Sequence, residues 1–217
     1  MSWIDNHSKQ LTEKRVKLFL IIYYSVGLAG FLIPGSRSLF EALIPLSVLI
    51  NLFLVLLFHK LFDQRHVLVF LGVMLFTFAV EAIGTKTGLL FGSYFYGPSL
   101  GFKVFETPLL IGVNWLVLAY GATAIVRSFK ALRRWVPFSA AALMVVFDFI
   151  MEPVAMKTGM WSWAHDVIPL QNYLMWFFVA VIVVGVLELT AIKTVKPVAA
   201  RLFWVQMVFF LVLNFFL

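Results

Sequence analysis

Three acids stand within or at the edge of long apolar runs: Glu81, Asp148 and Glu152. A carboxylate at the centre of a bilayer costs roughly 2.5–3.5 kcal/mol on insertion scales, so acids in such places tend to have a function. Asp148 and Glu152 are four residues apart, and a helix puts both carboxyls on one face. Pro153 follows at once and is expected to end or kink that helix. Aromatic and amide side chains cluster near the acids in the chain: Tyr94 and Tyr96, Asn114 and Trp115, Trp161 and Trp163, Asn172 and Trp176. Acids in different surroundings can give and take a proton. Aromatic faces stabilise a cation. The same acids could also serve a small transporter or channel as a proton or ion relay.

The elements that must position these residues are membrane helices. The chain has 217 residues, is 63% apolar and only 12% charged, about half the charged content of a soluble protein, with a mean hydropathy of +1.00. The expected fold is all-α, a polytopic helix bundle in a single domain over 1–217. About seven spans are expected: Leu18–Ile33, Phe40–Phe58, Val67–Gly84, Thr107–Val126, Trp135–Glu152, Gln171–Ala191 and Val198–Leu217. Two loops carry motifs, at 85–106 and 153–170. A retinal protein is excluded, because the last span has no lysine for a Schiff base. With no cysteine there is no disulfide and no thiolate metal site.

The net charge of +7 reads as topology and anionic lipid contact rather than nucleic-acid binding. One side carries Lys9, Lys14, Arg15, Lys17, Lys60, Arg65, Arg127, Lys130, Arg133, Arg134, Lys193, Lys196 and Arg201; the other carries Arg37, Lys86, Lys103 and Lys157. The asymmetry puts the N-terminus in the cytoplasm and the C-terminus outside, with both motif loops on the outer side of a cell membrane. A reporter fused after Arg133 is expected to read cytoplasmic and one after Lys103 external; the opposite result overturns this orientation.

Each motif also has a plainer reading. Glu81 could pair with Lys86, and the tyrosines and Trp161 and Trp163 could be interfacial anchors. Asn114 could be helix–helix glue or a donor facing a substrate. Glu152 could be a water-facing helix-end acid. Glu188 is expected to pair with Lys193, and His165 to be solvated.

Glu81-x-x-Gly84-x-x-Thr87-Gly88-x-x-Phe91-Gly92-x-Tyr94-x-Tyr96, then Leu100-Gly101, Pro108 and Trp115, resembles the carotenoid biosynthesis membrane proteins that include the carotenoid 1',2'-hydratases. So do Asp148-x-x-x-acid-Pro153, Gly159-x-Trp161-x-Trp163, Pro169-x-x-Asn172 and Trp176. The similarity runs from about Glu81 to Trp176. Glu152 stands where the family often has Asp, and Met175 where it often has Gly. The resemblance implies a hydratase that adds water to the terminal double bond of an acyclic (ψ) carotenoid end and leaves a tertiary alcohol. It implies no redox cofactor, a lipid-soluble carotenoid as substrate, and other enzymes of the pathway as further partners. The alternatives from other classes are a transporter and a non-catalytic scaffold.

Hydration requires an acid that still holds its proton, a base that takes a proton from water, and a site that tolerates a tertiary cation. The acids offered are Glu81, Asp148 and Glu152. The walls are Trp115, Trp161, Trp163, Tyr94 and Tyr96, and Asn114 and Asn172 could hold water. Glu81 or Asp148 in a drier site is expected to donate, and Glu152 in a wetter one to handle water.

Overall fold

In the computed structural model, residues 13–59, 63–192 and 196–217 are described. The apolar runs form helices, as their length and composition dictate: α1 Glu13–Leu32, a short α2 Arg37–Ala42, α3 Ile44–Leu57, α4 Gln64–Thr87, α5 Leu110–Ser128, α6 Val136–Lys157, α7 Leu170–Leu189 and α8 Lys196–Phe216. Among the described residues, six of these are long and apolar enough to cross a membrane. This is a polytopic helical membrane bundle.

The expected second span, Phe40–Phe58, is broken. Leu43 separates α2 from α3, and Pro45 lies in the first turn of α3, where its missing N–H costs nothing. The remaining 14 residues reach about 21 Å at 1.5 Å per residue, short of a hydrocarbon core of roughly 30 Å. The fifth span departs in the other direction. Pro153 does not end α6, which continues to Lys157. Proline removes one helical N–H and crowds the carbonyl four residues back, that of Phe149. At the next carbonyl, Ile150, Asn214 of α8 donates its amide at 2.5 Å, so a neighbouring helix serves the disturbed turn.

At the centre of the bundle lies α5, buried continuously from Trp115 to Val126. It packs against α4, α6 and α8, and α6 against α7. Leu71, Leu75, Phe149 and Phe178 are exposed on the outer faces, as suits residues that meet lipid.

The two motif loops meet at one end and form strands, which the all-helical expectation did not include. β1 Tyr94–Tyr96 pairs antiparallel with β4 Trp161–Trp163, matching Tyr94 to Trp163 and Tyr96 to Trp161. Between them in the chain, β2 Lys103–Val104 and β3 Thr107–Pro108 make a small hairpin, so Thr107, expected to open a span, lies in a strand. The first loop begins only at Gly88, which ends α4 in the left-handed region at φ 66. Gly97 N–H donates to Met160 O at 2.8 Å. A Cβ on Gly97 would lie 2.0 Å from Gly159 O, so only glycine permits this approach. Gly97→Ala is therefore expected to push β1 and β4 apart and cost about 1–3 kcal/mol; a wild-type melting temperature and unchanged proteolysis of the loop would contradict this.

Candidate active site

Strand alternation puts every second side chain on one face. In β1 and β4 that face carries Tyr94, Tyr96, Trp161 and Trp163, all buried, while Phe95 and Ser162 point away. The small sheet is thus a lid with an aromatic underside, closed over the lid ends of α4, α6 and α7.

Each strand holds one acid. Glu81, in the last third of α4, receives Tyr94 OH at 2.6 Å and Tyr96 OH at 2.8 Å on Oε2. The Trp115 indole N–H, from α5, reaches its Oε1 at 2.8 Å. Burial, and then the nearby Glu81 carboxyl, push both phenols above the usual tyrosine range, so they remain protonated at neutral pH. Glu152 receives Trp161 and Trp163 N–H on Oε2 at 2.7 and 2.8 Å. Asn172, in the first turn of α7, uses one amide nitrogen to bridge Glu152 Oε1 at 3.1 Å and Asp148 Oδ2 at 2.9 Å. Asp148 and Glu152 share a face of α6, as their spacing requires. Asp148 Oδ1 is buried with no hydrogen-bond partner among the described residues. Hydrogen bonds to a charged group are worth roughly 1.5–3 kcal/mol each, which offsets the burial of these acids.

A cavity of about 20 Å³ lies between the acids, lined by Glu81, Tyr96, Glu152, Trp163, Asn172 and Trp176 among others. That is room for about one water, with polar partners to hold it. Trp176 stacks on Trp115 with centroids 4.1 Å apart, which joins α7 to α5 behind Glu81. A second, apolar cavity of about 300 Å³ adjoins through Ile111 and Trp161, which line both. Val26 of α1 and Leu46 of α3 line it too and are 54% and 51% exposed, so it opens sideways toward lipid.

Most of the residues singled out in the sequence converge here, with several corrections. Asn114 lines the larger cavity and not the acid cluster. Asp148 lies behind Asn172 and does not line the small cavity. Glu152 is no wetter than the others: Glu81, Asp148 and Glu152 are 4%, 0% and 1% exposed. The cause is the lid, which seals the end of α6 that its position near a loop suggested would be open. Glu81 pairs with aromatic donors and not with Lys86. Glu188 pairs with Arg127 at 2.6 Å; Lys193 lies outside the described residues. His165 is exposed, as expected. Phe91 and Ile111 also line the small cavity and were not anticipated. Glycine at position 84 is what admits Phe91, since a Cβ there would lie 2.6 Å from its ring.

Among the described residues no three His, Cys, Asp or Glu side chains gather to hold a metal ion. No solved structure matches the chain. It is 26% identical over 187 residues to the bisanhydrobacterioruberin hydratase of Haloarcula japonica, covering 76% of this chain and 61% of that protein. The chain thus spans less than two thirds of the relative's length. A family profile for carotenoid biosynthesis proteins matches residues 41–217, which include every acid and aromatic of the site: the chain belongs to the carotenoid biosynthesis protein family.

Proposed function

We propose that this protein is a carotenoid hydratase of a cell membrane. It adds water across the terminal 1',2' double bond of an acyclic end group and leaves a tertiary alcohol. The observation that carries this reading is a water-sized cavity faced by two carboxyls whose partners differ in kind. Glu81 Oε2 is held by two hydroxyls, and a hydroxyl can turn from donor to acceptor. Glu81 can therefore hold a proton without losing its partners. Glu152 Oε2 is held by two indoles, which can only donate. Oε2 remains an acceptor throughout, which favours the ionised carboxylate at rest, and the proton of water goes to Oε1, which accepts from Asn172 alone among the described residues.

The steps follow. The substrate end enters the apolar cavity from lipid and lies against Trp161. Glu81, with Tyr96 at its side, delivers a proton to the less substituted alkene carbon. The π electrons form the new C–H bond and leave a tertiary cation. The face of Trp161 stabilises that cation; such contacts are worth about 2 kcal/mol when desolvated. Water from the small cavity forms the C–O bond, and Glu152 takes its proton. Asp148 acts through Asn172 as a positioning group. Return of the proton from Glu152 to Glu81 closes the cycle, so no redox cofactor enters. The basic asymmetry of the loops supports an outward-facing lid.

The reading is tested by expressing the chain in cells that accumulate an acyclic carotenoid. The pigment should gain the mass of one water per reacting end. Unchanged pigment, with the protein present in the membrane, would overturn the hydratase assignment.

A further inference from the structure

The hydration chemistry engages the large cavity only where Trp161 meets it. The rest of that cavity has two unlike walls. The side chains that face it from α3, α5 and α6, among them Ile44, Val48, Ile111 and Val154, include no ring. Among the described residues, every ring in its lining except Trp161 comes from α1, α2 or α8. Four of these rings touch in file. Phe40 meets Phe31 with centroids 6.1 Å apart, Phe31 meets Phe209 at 5.9 Å, and Phe209 meets Tyr24 at 5.4 Å, each edge to face. Tyr24 and Phe31 stand two turns apart on α1, about 10 Å, so the file runs along that helix. Two glycines make room for it. Gly27 and Gly30 share a face of α1. A Cβ on Gly27 would lie 3.2 Å from the ring of Phe209, and one on Gly30 would lie 2.3 Å from that of Phe40. Glycine within a helix is destabilising, and what it secures here is aromatic surface on one side of the cavity.

We infer that this aromatic wall is a specificity determinant: it reads the conjugation of the chain behind the reacting end. The inference rests on reading the large cavity as the chamber for that end, and it names the residues that choose among substrates. Volume decides which carbons can be read. About 300 Å³ holds roughly ten non-hydrogen atoms, at the 30 Å³ or so that one takes up in liquid water. In an isoprenoid chain two saturated carbons follow the terminal alkene, and the next double bond begins at the fifth carbon. With the terminal alkene at Trp161, that bond and its neighbours lie along the file. Conjugated, they form a flat ribbon that offers π surface to one ring after another, a contact worth more than the area it buries. Where the double bonds are isolated, the saturated carbons between them let the chain twist away. The aromatic wall then holds the chain no better than the aliphatic one.

Binding to the purified full chain in nanodiscs tests this without requiring turnover, with tritiated squalene as the probe and lycopene and phytoene as competitors. All three carry the same terminal alkene. Lycopene and phytoene share one skeleton, but near the ends only lycopene is conjugated. Lycopene should compete about three- to tenfold better than phytoene, the gain from one good aromatic contact. Phe31→Leu together with Phe209→Leu should bring lycopene to the phytoene level, while squalene binding, which reports an intact cavity, stays as it was. If the paired changes abolish squalene binding, the ratio is read in each single variant; it should fall in part, and an unchanged ratio in both overturns the inference. The wall does not touch the reacting carbons, so in turnover the preference should appear in KM with kcat alike for the two substrates. Glu152→Gln, blocked in hydration, should keep the binding preference, so failure of the hydratase reading and failure of this one are separable. A stiff chain also loses less freedom on binding than a flexible one, and that advantage does not depend on the rings. A lycopene preference that survives in the doubly substituted protein therefore overturns the inference. Equal competition by lycopene and phytoene in the wild-type protein overturns it too, as does no binding of squalene.

Discussion

Glu152→Gln is expected to fold and insert, and to lower hydration by about 10²–10⁴-fold, the usual worth of a positioned general acid or base. The amide can turn its oxygen toward the indoles of Trp161 and Trp163. Its NH₂ then faces the amide nitrogen of Asn172, which lies 3.1 Å from Glu152 Oε1 in the native protein, so Asn172 must turn over as well. Glu81→Gln is accommodated more easily, because the tyrosine hydroxyls can accept from an NH₂. It is expected to lose activity by a similar factor. Solvent deuterium separates the roles. With Glu81→Gln, no deuterium should enter the carbon beside the alcohol or the recovered alkene. With Glu152→Gln, protonation continues and reverses, so recovered alkene should carry deuterium. Asp148→Asn should fall between wild type and these two, because Asp148 reaches the reaction only through Asn172. The reverse pattern of exchange would exchange the two roles, and wild-type turnover in all three variants would move the site elsewhere.

The second large effect concerns the lid. Trp161→Phe together with Trp163→Phe keeps two aromatic rings under β4 and removes both N–H donors from Glu152 Oε2. A buried acceptor left unsatisfied costs about 1–3 kcal/mol, and more when charged. Turnover is therefore expected to fall by at least about tenfold, since 1.36 kcal/mol is a factor of ten. The same pair of changes introduced into Glu152→Gln should lower turnover little further, because groups that act through one atom are not additive. Additive losses would show that the indoles serve as walls only, with no part in holding Glu152 as a base.

What the sequence by itself determined is whatever depends on local spacing and composition. Apolar runs near twenty residues long specify membrane helices. Asp148 and Glu152, four apart, specify a shared face whether or not Pro153 intervenes. Acids within apolar runs mark the site because their cost demands partners. The alternation in Tyr94-Phe95-Tyr96 and Trp161-Ser162-Trp163 is also a local signal, of period two, and it is consistent with the strands that form. Short length hid it: three residues between glycine-rich stretches read equally well as loop.

Only the tertiary structure decided which donor meets which acid. Tyr94 and Glu81 are close in the chain, but Trp115 reaches Glu81 from another helix, and Asn172 reaches Asp148 and Glu152 across a helix pair. No spacing encodes such contacts. Burial was decided in the same way. Glu152 looks like a helix-end acid near water until β1 and β4 pair above it, and pairing between strands more than sixty residues apart is not visible in either strand alone. The fate of Pro153 belongs here too, since Asn214 comes from the last helix to serve the turn it disturbs. Asn114 points the other way: its place beside Trp115 suggested one site, but adjacent residues on a helix lie about 100° apart, and the neighbour of a site residue faces a different cavity.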